Sequence, residues 1–80
     1  MKYLIKNLIF LKNDRNLTQD NIAVKLNVQR TLVGSWLEFR SIPQTAELKK
    51  LSDLFKVSID WLIKKDIERL SKRKADAILK

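Results

Sequence analysis

An all-α fold built as one small domain is what this sequence predicts, and three observations carry it. Apolar residues recur at three- and four-residue spacing over successive stretches, without the alternation of a half-buried strand. One glycine and one proline in 80 residues leave few of the turn signals that a sheet protein needs. A hydrophobic share of 45% is too high for a chain disordered by composition. Eighty residues suffice for one domain with a small core.

The first helix is expected over residues 2–14. Leu4, Ile5, Leu8, Ile9 and Leu11 form a wide apolar stripe, with Lys2, Lys6 and Lys12 mostly outside it. Phe10 lies off that stripe, placed to meet the C-terminal part of the chain. Asp14, Arg15 and Asn16 make a polar break, after which Leu17 returns to the core. Thr18 is an N-cap for the second helix, because its hydroxyl can accept a backbone N–H left free in the first turn. Leu17 and Ile22 stand where a hydrophobic staple would close. Ile22, Ala23 and Leu26 give that helix one apolar face. Asn27 ends it, since asparagine tolerates left-handed backbone.

The third helix is expected over residues 29–39. Leu32, Val33, Trp36 and Leu37 face inward. Gln29, Arg30, Thr31, Gly34 and Ser35 face outward, all polar or small. Pro43 then breaks the helical pattern and biases Ile42 toward extended backbone. Thr45 is expected to cap the fourth helix, with Glu47 in its first turn where a carboxylate favours the helix dipole. Leu48, Leu51, Leu54 and Phe55 form its buried stripe. Ser58 caps the fifth helix, and Val57 and Leu62 can staple it. Both Trp36 and Trp61 fall on core-facing stripes and read as structural.

Composition shifts after Ile63, so the domain is expected to span residues 1–63, with a basic helical extension or linker over 64–80. Basic residues crowd this end, and Ile63, Ile67, Leu70, Ala77 and Ile78 make only a narrow apolar seam, interrupted by Lys74. The whole chain carries a formal net charge of +8 and a pI near 10.1. Such a balance favours polyanions, nucleic acid first and an anionic membrane surface second. The absence of cysteine excludes disulfides and thiolate metal sites. The absence of histidine removes the commonest general base and metal ligand, so neither enzyme activity, metal nor cofactor is expected. The N-terminal stretch lacks the pattern of a signal peptide, and no run approaches a membrane span, so a cytoplasmic protein is expected.

Two separated motifs carry a family likeness. The first runs through Leu17–Thr18–Gln19, Ile22–Ala23, Leu26–Asn27–Val28 and Leu32–Val33–Gly34–Ser35–Trp36, with Arg40 and Pro43 after it. The second is Phe55 to Leu62. Together they resemble the phage-repressor and Cro-like helix-turn-helix family, also called the XRE family, over about residues 4–63. The resemblance implies a compact five-helix lambda-repressor-like DNA-binding domain, here with a C-terminal helical extension. It implies that the third helix lies in the major groove and that the N-terminus of the second meets a phosphate. It also implies a dimer on a two-fold operator, with half-sites about one helical turn apart. Leu37 stands where the family usually has Glu, so an ion pair with Lys12 cannot form. Phe39 stands where the family has Gly, and a β-carbon disfavours a left-handed cap, so the chain is expected to leave the third helix differently.

Arg30 is the leading candidate for base readout, since a guanidinium can bond guanine O6 and N7 together; the plain alternative is a solvated arginine. Gln29 and Thr31 lie beside it, and Ser35 is one turn further along. Gly34 has two readings: close approach to DNA, or close packing of two helices. Thr18 and Gln19 are candidate phosphate contacts from a helix N-terminus, where free N–H groups attract anions; plain capping is the alternative. Lys12, Arg40 and Thr45 are further phosphate candidates, whereas Lys25, Lys49, Lys50 and Lys56 read as solvated charges. The function expected is sequence-specific binding of double-stranded DNA by a transcriptional regulator, with repression the expected outcome. The expected partner besides DNA is a second copy, through the fifth helix and the C-terminal tail. The alternatives are a protein-interaction module such as an antitoxin or anti-repressor, and, last, a membrane-surface helix, for which the apolar seam is too narrow.

Overall fold

A computed structural model describes residues 3–70 of the chain. Five helices follow one another: α1 (Leu4–Asp14), α2 (Gln19–Leu26), α3 (Arg30–Leu37), α4 (Thr45–Phe55) and α5 (Ile59–Lys64). Residues 67–70 are helical again, and no strand occurs among the described residues. The expected tail helix beyond residue 70 lies outside them. None of these helices is long and apolar enough to cross a membrane.

One core joins all five helices. Leu4, Leu8, Leu11, Ile22, Leu26, Val33, Trp36, Leu51, Phe55 and Leu62 are buried in a single cluster. Removing such side chains from water is worth about 1.5–3 kcal/mol each. α2 packs chiefly on α3, α1 lies against α5 and α3, and α4 packs on α2 and α5. The Trp36 side chain is buried in this cluster, and its indole N–H has no hydrogen-bond partner among the described residues.

Several ends of helices follow from single residues. Thr18 caps α2, and Asn21 returns the favour: Thr18 Oγ1 accepts from the Asn21 N–H at 3.0 Å, and Asn21 Oδ1 from the Thr18 N–H at 3.0 Å. Asn27 ends α2 at φ 57°, in left-handed backbone. Ser58 caps α5 by accepting from the Trp61 N–H at 3.2 Å. Two side chains not foreseen as structural cap helix C-termini, where carbonyls are left without partners. Lys50, expected to be solvated, donates to the Leu26 carbonyl at the end of α2 at 3.0 Å. Arg15 donates to the Phe55 carbonyl at the end of α4 at 3.1 Å and lies over the Phe55 ring.

Four expectations are corrected. Thr45 is the first residue of α4 rather than its cap; the cap position belongs to Gln44, which makes no side-chain cap bond. Helix α3 is shorter at both ends than residues 29–39, because Gln29 is extended at ψ 144° and Glu38 already leaves the helix. Trp61 is 47% exposed, because α5 turns its neighbour Leu62 fully into the core instead. Phe39 takes the left-handed conformation at φ 62° despite its β-carbon, so the chain leaves α3 as it would with glycine there. The Phe39 N–H bonds to the Trp36 carbonyl and the Arg40 N–H to the Ser35 carbonyl, and these bonds hold the turn.

The chain beyond α5 folds back on α1. Asn7 is fully buried, and its Nδ2 donates to the Leu62 and Lys65 carbonyls, each at 2.7 Å. Its Oδ1 accepts from the Ile67 N–H at 3.1 Å. Ile67 is buried with the core, and Lys6 pairs with Asp66 at 2.9 Å. That pair raises the Lys6 pKa and lowers that of Asp66, chiefly through the hydrogen bond between the two side chains. Phe10 is half-buried and lines a groove together with Phe39 and Glu68.

Candidate nucleic-acid interface

The exposed end of α3 is built from behind. Val33 and Trp36 anchor the helix in the core, which leaves Gln29, Arg30 and Thr31 exposed at its N-terminal end. Eight residues make a rod about 12 Å long, close to the width of a B-DNA major groove. Val28 is half-buried and its N–H bonds to the Ala23 carbonyl at 3.0 Å, which closes the tight turn between α2 and α3.

Gln19 locks the two helices together. It is the first residue of α2, and its Nε2 donates to the Arg30 carbonyl at 3.0 Å. Its amide lies on Gly34: a β-carbon there would come within 2.7 Å of Gln19 Nε2. Gly34 is therefore buried, and close packing between helices is the reading the geometry supports over close approach to DNA. Arg30 is tied to α2 a second time, because its Nε lies 2.7 Å from Asp20 Oδ1. Both side chains are largely in water, 68% and 65% exposed.

The remaining candidates divide by position. Thr18 is exposed at the start of α2 beside Gln19, although its hydroxyl already caps the helix. Ser35 is half-buried, and its hydroxyl shares a hydrogen bond of 2.7 Å with that of Ser41. It braces the turn after α3 and is less open than the three residues at the other end. Arg40 is exposed in that turn and paired with Glu38. Thr45 is exposed at the start of α4, and Lys12 is half-buried near the end of α1. Sequence reasoning missed Asp20 and Asn21. Their signal was positional: both stand in the first turn after a capping Thr, where an acidic or amide side chain reaches free N–H groups or a neighbouring helix.

A family described as Helix-turn-helix matches residues 10–62, which takes in α2, α3 and the turn between them. The chain belongs to the helix-turn-helix family, of the phage-repressor or XRE type. Two relatives place it further. The HTH-type transcriptional activator BcrR of Enterococcus faecalis is 38% identical over 53 residues, which cover 66% of this chain and 26% of that protein. The chain thus spans about a quarter of the length of this relative. A transcriptional regulator from Listeria innocua, known from a crystal structure, matches with a TM-score of 0.70 and 28% identity. That match covers 96% of this chain and 77% of the other, so the helix-turn-helix and the packing around it are common to both.

Proposed function

We propose that this chain binds double-stranded DNA in a sequence-specific manner and regulates transcription, with α3 in the major groove. The observation that carries this is the exposed set Gln29, Arg30 and Thr31 on a helix end anchored by buried Val33 and Trp36. Arg30 reads guanine through a two-bonded fork, and Gln29 and Thr31 bond neighbouring base edges or sugar-phosphate. Ser35 lies further along the same helix toward the groove. Thr18 and Gln19 meet a phosphate at the N-terminus of α2, where helix N–H groups favour anions. Lys12, Arg40 and Thr45 contact flanking phosphates. A net charge of +8 supplies the general attraction.

The site bound is two-fold and the protein binds as a dimer through α5, whose Trp61 is 47% exposed. Selection from random duplexes, followed by footprinting, tests the reading; a palindromic site is expected, and a single unrepeated half-site overturns the dimer. Arg30→Ala is expected to lower affinity for the selected site by about 1–3 kcal/mol and to relax the preference at one base pair. An equal fall for every sequence makes Arg30 a phosphate contact instead. A reporter carrying the selected site over its promoter settles the sign. Repression is expected; activation, which is what the Enterococcus relative is named for, overturns that part.

A further inference from the structure

We infer that Asp20 is the positioning residue of Arg30, holding its guanidinium by Nε so that the two terminal amino groups face the base edges. The inference rests on the reading of α3 as the DNA-reading helix and adds a residue to it. The contact is 2.7 Å long between Arg30 Nε and Asp20 Oδ1, and both side chains are about two-thirds exposed. Charge rather than packing brings the two side chains together.

The backbone that carries Asp20 is held on both sides. Its neighbours on either side are anchored, Gln19 by its bond to the Arg30 carbonyl and Asn21 by its reciprocal bonds with Thr18. Arg30 is therefore held to α2 at its backbone and at its side chain. A guanidinium has its N–H donors in a rigid fork. With the carboxylate drawn to the Nε side, the outer pair is left for a ligand, and that pair matches the O6 and N7 acceptors of guanine. The carboxylate also repels phosphate oxygens, which keeps this arginine from settling on the backbone of any sequence. Asp20 thus lowers general affinity and raises discrimination.

The test compares the wild-type chain with Asp20→Asn, Asp20→Glu, Arg30→Ala and the Asp20→Asn/Arg30→Ala pair. Each is taken through duplex selection and through competition binding over a salt series, with circular dichroism to check the fold. Asp20→Asn is expected to relax the same base position as Arg30→Ala. Its ratio of specific to unrelated-duplex affinity should fall about tenfold, equivalent to about 1.4 kcal/mol. Its affinity for unrelated DNA should rise, with a salt slope steeper by about one. Asp20→Glu should recover part of the preference, and the double variant should be no less selective than Arg30→Ala alone. Unchanged preference and salt slope in Asp20→Asn overturn the inference. So does a loss of preference at a different position, which would make Asp20 a reader of cytosine in its own right. So does tighter specific binding with preference intact, which would make the pair a competitor of DNA. If the wild-type chain selects no sequence at all, the underlying reading falls, and that outcome shows without any variant.

Discussion

Asn7 directs both ends of its amide into the protein, with two carbonyls on Nδ2 and one N–H on Oδ1. These bonds satisfy the carbonyl of Leu62 in α5, that of Lys65 just after it, and the N–H of Ile67 where the chain turns helical again, groups that helix ends leave without partners. Replacing it with Leu keeps the volume roughly but strands those backbone groups in a buried place. Each buried group left unsatisfied costs about 1–3 kcal/mol, so Asn7→Leu should lower the unfolding free energy by about 2–4 kcal/mol in a urea titration. A loss within the scatter of surface substitutions would show that water takes over these bonds. A signal for this residue was present in the sequence. Asn7 is three residues from Leu4 and four from Leu11, on the buried stripe of α1, where a polar side chain must have partners. Its partners could not be named, because they lie 55 to 60 residues away. The exposed Arg30 was legible for the opposite reason: everything that places it is within a dozen residues.

At the scale of elements, α2 and α3 form a unit locked by Gln19 on Gly34. Gly34→Ala puts a β-carbon against the end of a flexible side chain, which can swing away. The gain in helix propensity, about 0.8–1 kcal/mol, then offsets the lost Gln19–Arg30 bond, about 0.5–1.5 kcal/mol. Thermal unfolding of Gly34→Ala should thus differ little from wild type, while DNA affinity falls because the Gln19 amide no longer braces Arg30. A parallel loss of stability and affinity would show that the glycine matters only for packing. Apolar periodicity predicted all five helices and their order, since each buries one stripe. Their ends were less legible. Thr18 and Ser58 cap as expected, whereas Thr45 does not, because the backbone turns one residue earlier at Gln44. At Phe39 the local preference of a β-carbon gave way to the two backbone bonds that hold the turn and the packing of α3 behind it.

For the whole molecule, charge sets how solution conditions act. The Lys6–Asp66 pair joins the first helix to the last described turn. The Asp66 pKa is lowered in the folded state, so the contribution is present above the ordinary aspartate value and is lost as pH falls below it, through the folded value. The Lys6 pKa is raised, so its contribution is present below the ordinary lysine value and is lost only as pH rises above that, through the folded one. Asp66→Asn should therefore narrow its gap in stability to wild type below about pH 4 and keep a constant gap near neutrality. A gap that is the same at both ends would remove the pair from the balance. The composition announced a polyanion partner through its net charge, but not this pair, because residues 60 apart share no periodic pattern.

The bonds from Asn7 also impose an order in time. The α2–α3 pair is closed by contacts only 11 residues apart, which a growing chain can form as soon as that stretch is free. Asn7 leaves the ribosome 55 to 60 residues ahead of its acceptor at Leu62 and its donor at Ile67. At about 5–20 residues per second, the first helix waits several seconds with a bare amide before its partners arrive. The partners that close the α2–α3 pair are thus all present in the chain before those of the clasp that shuts the domain.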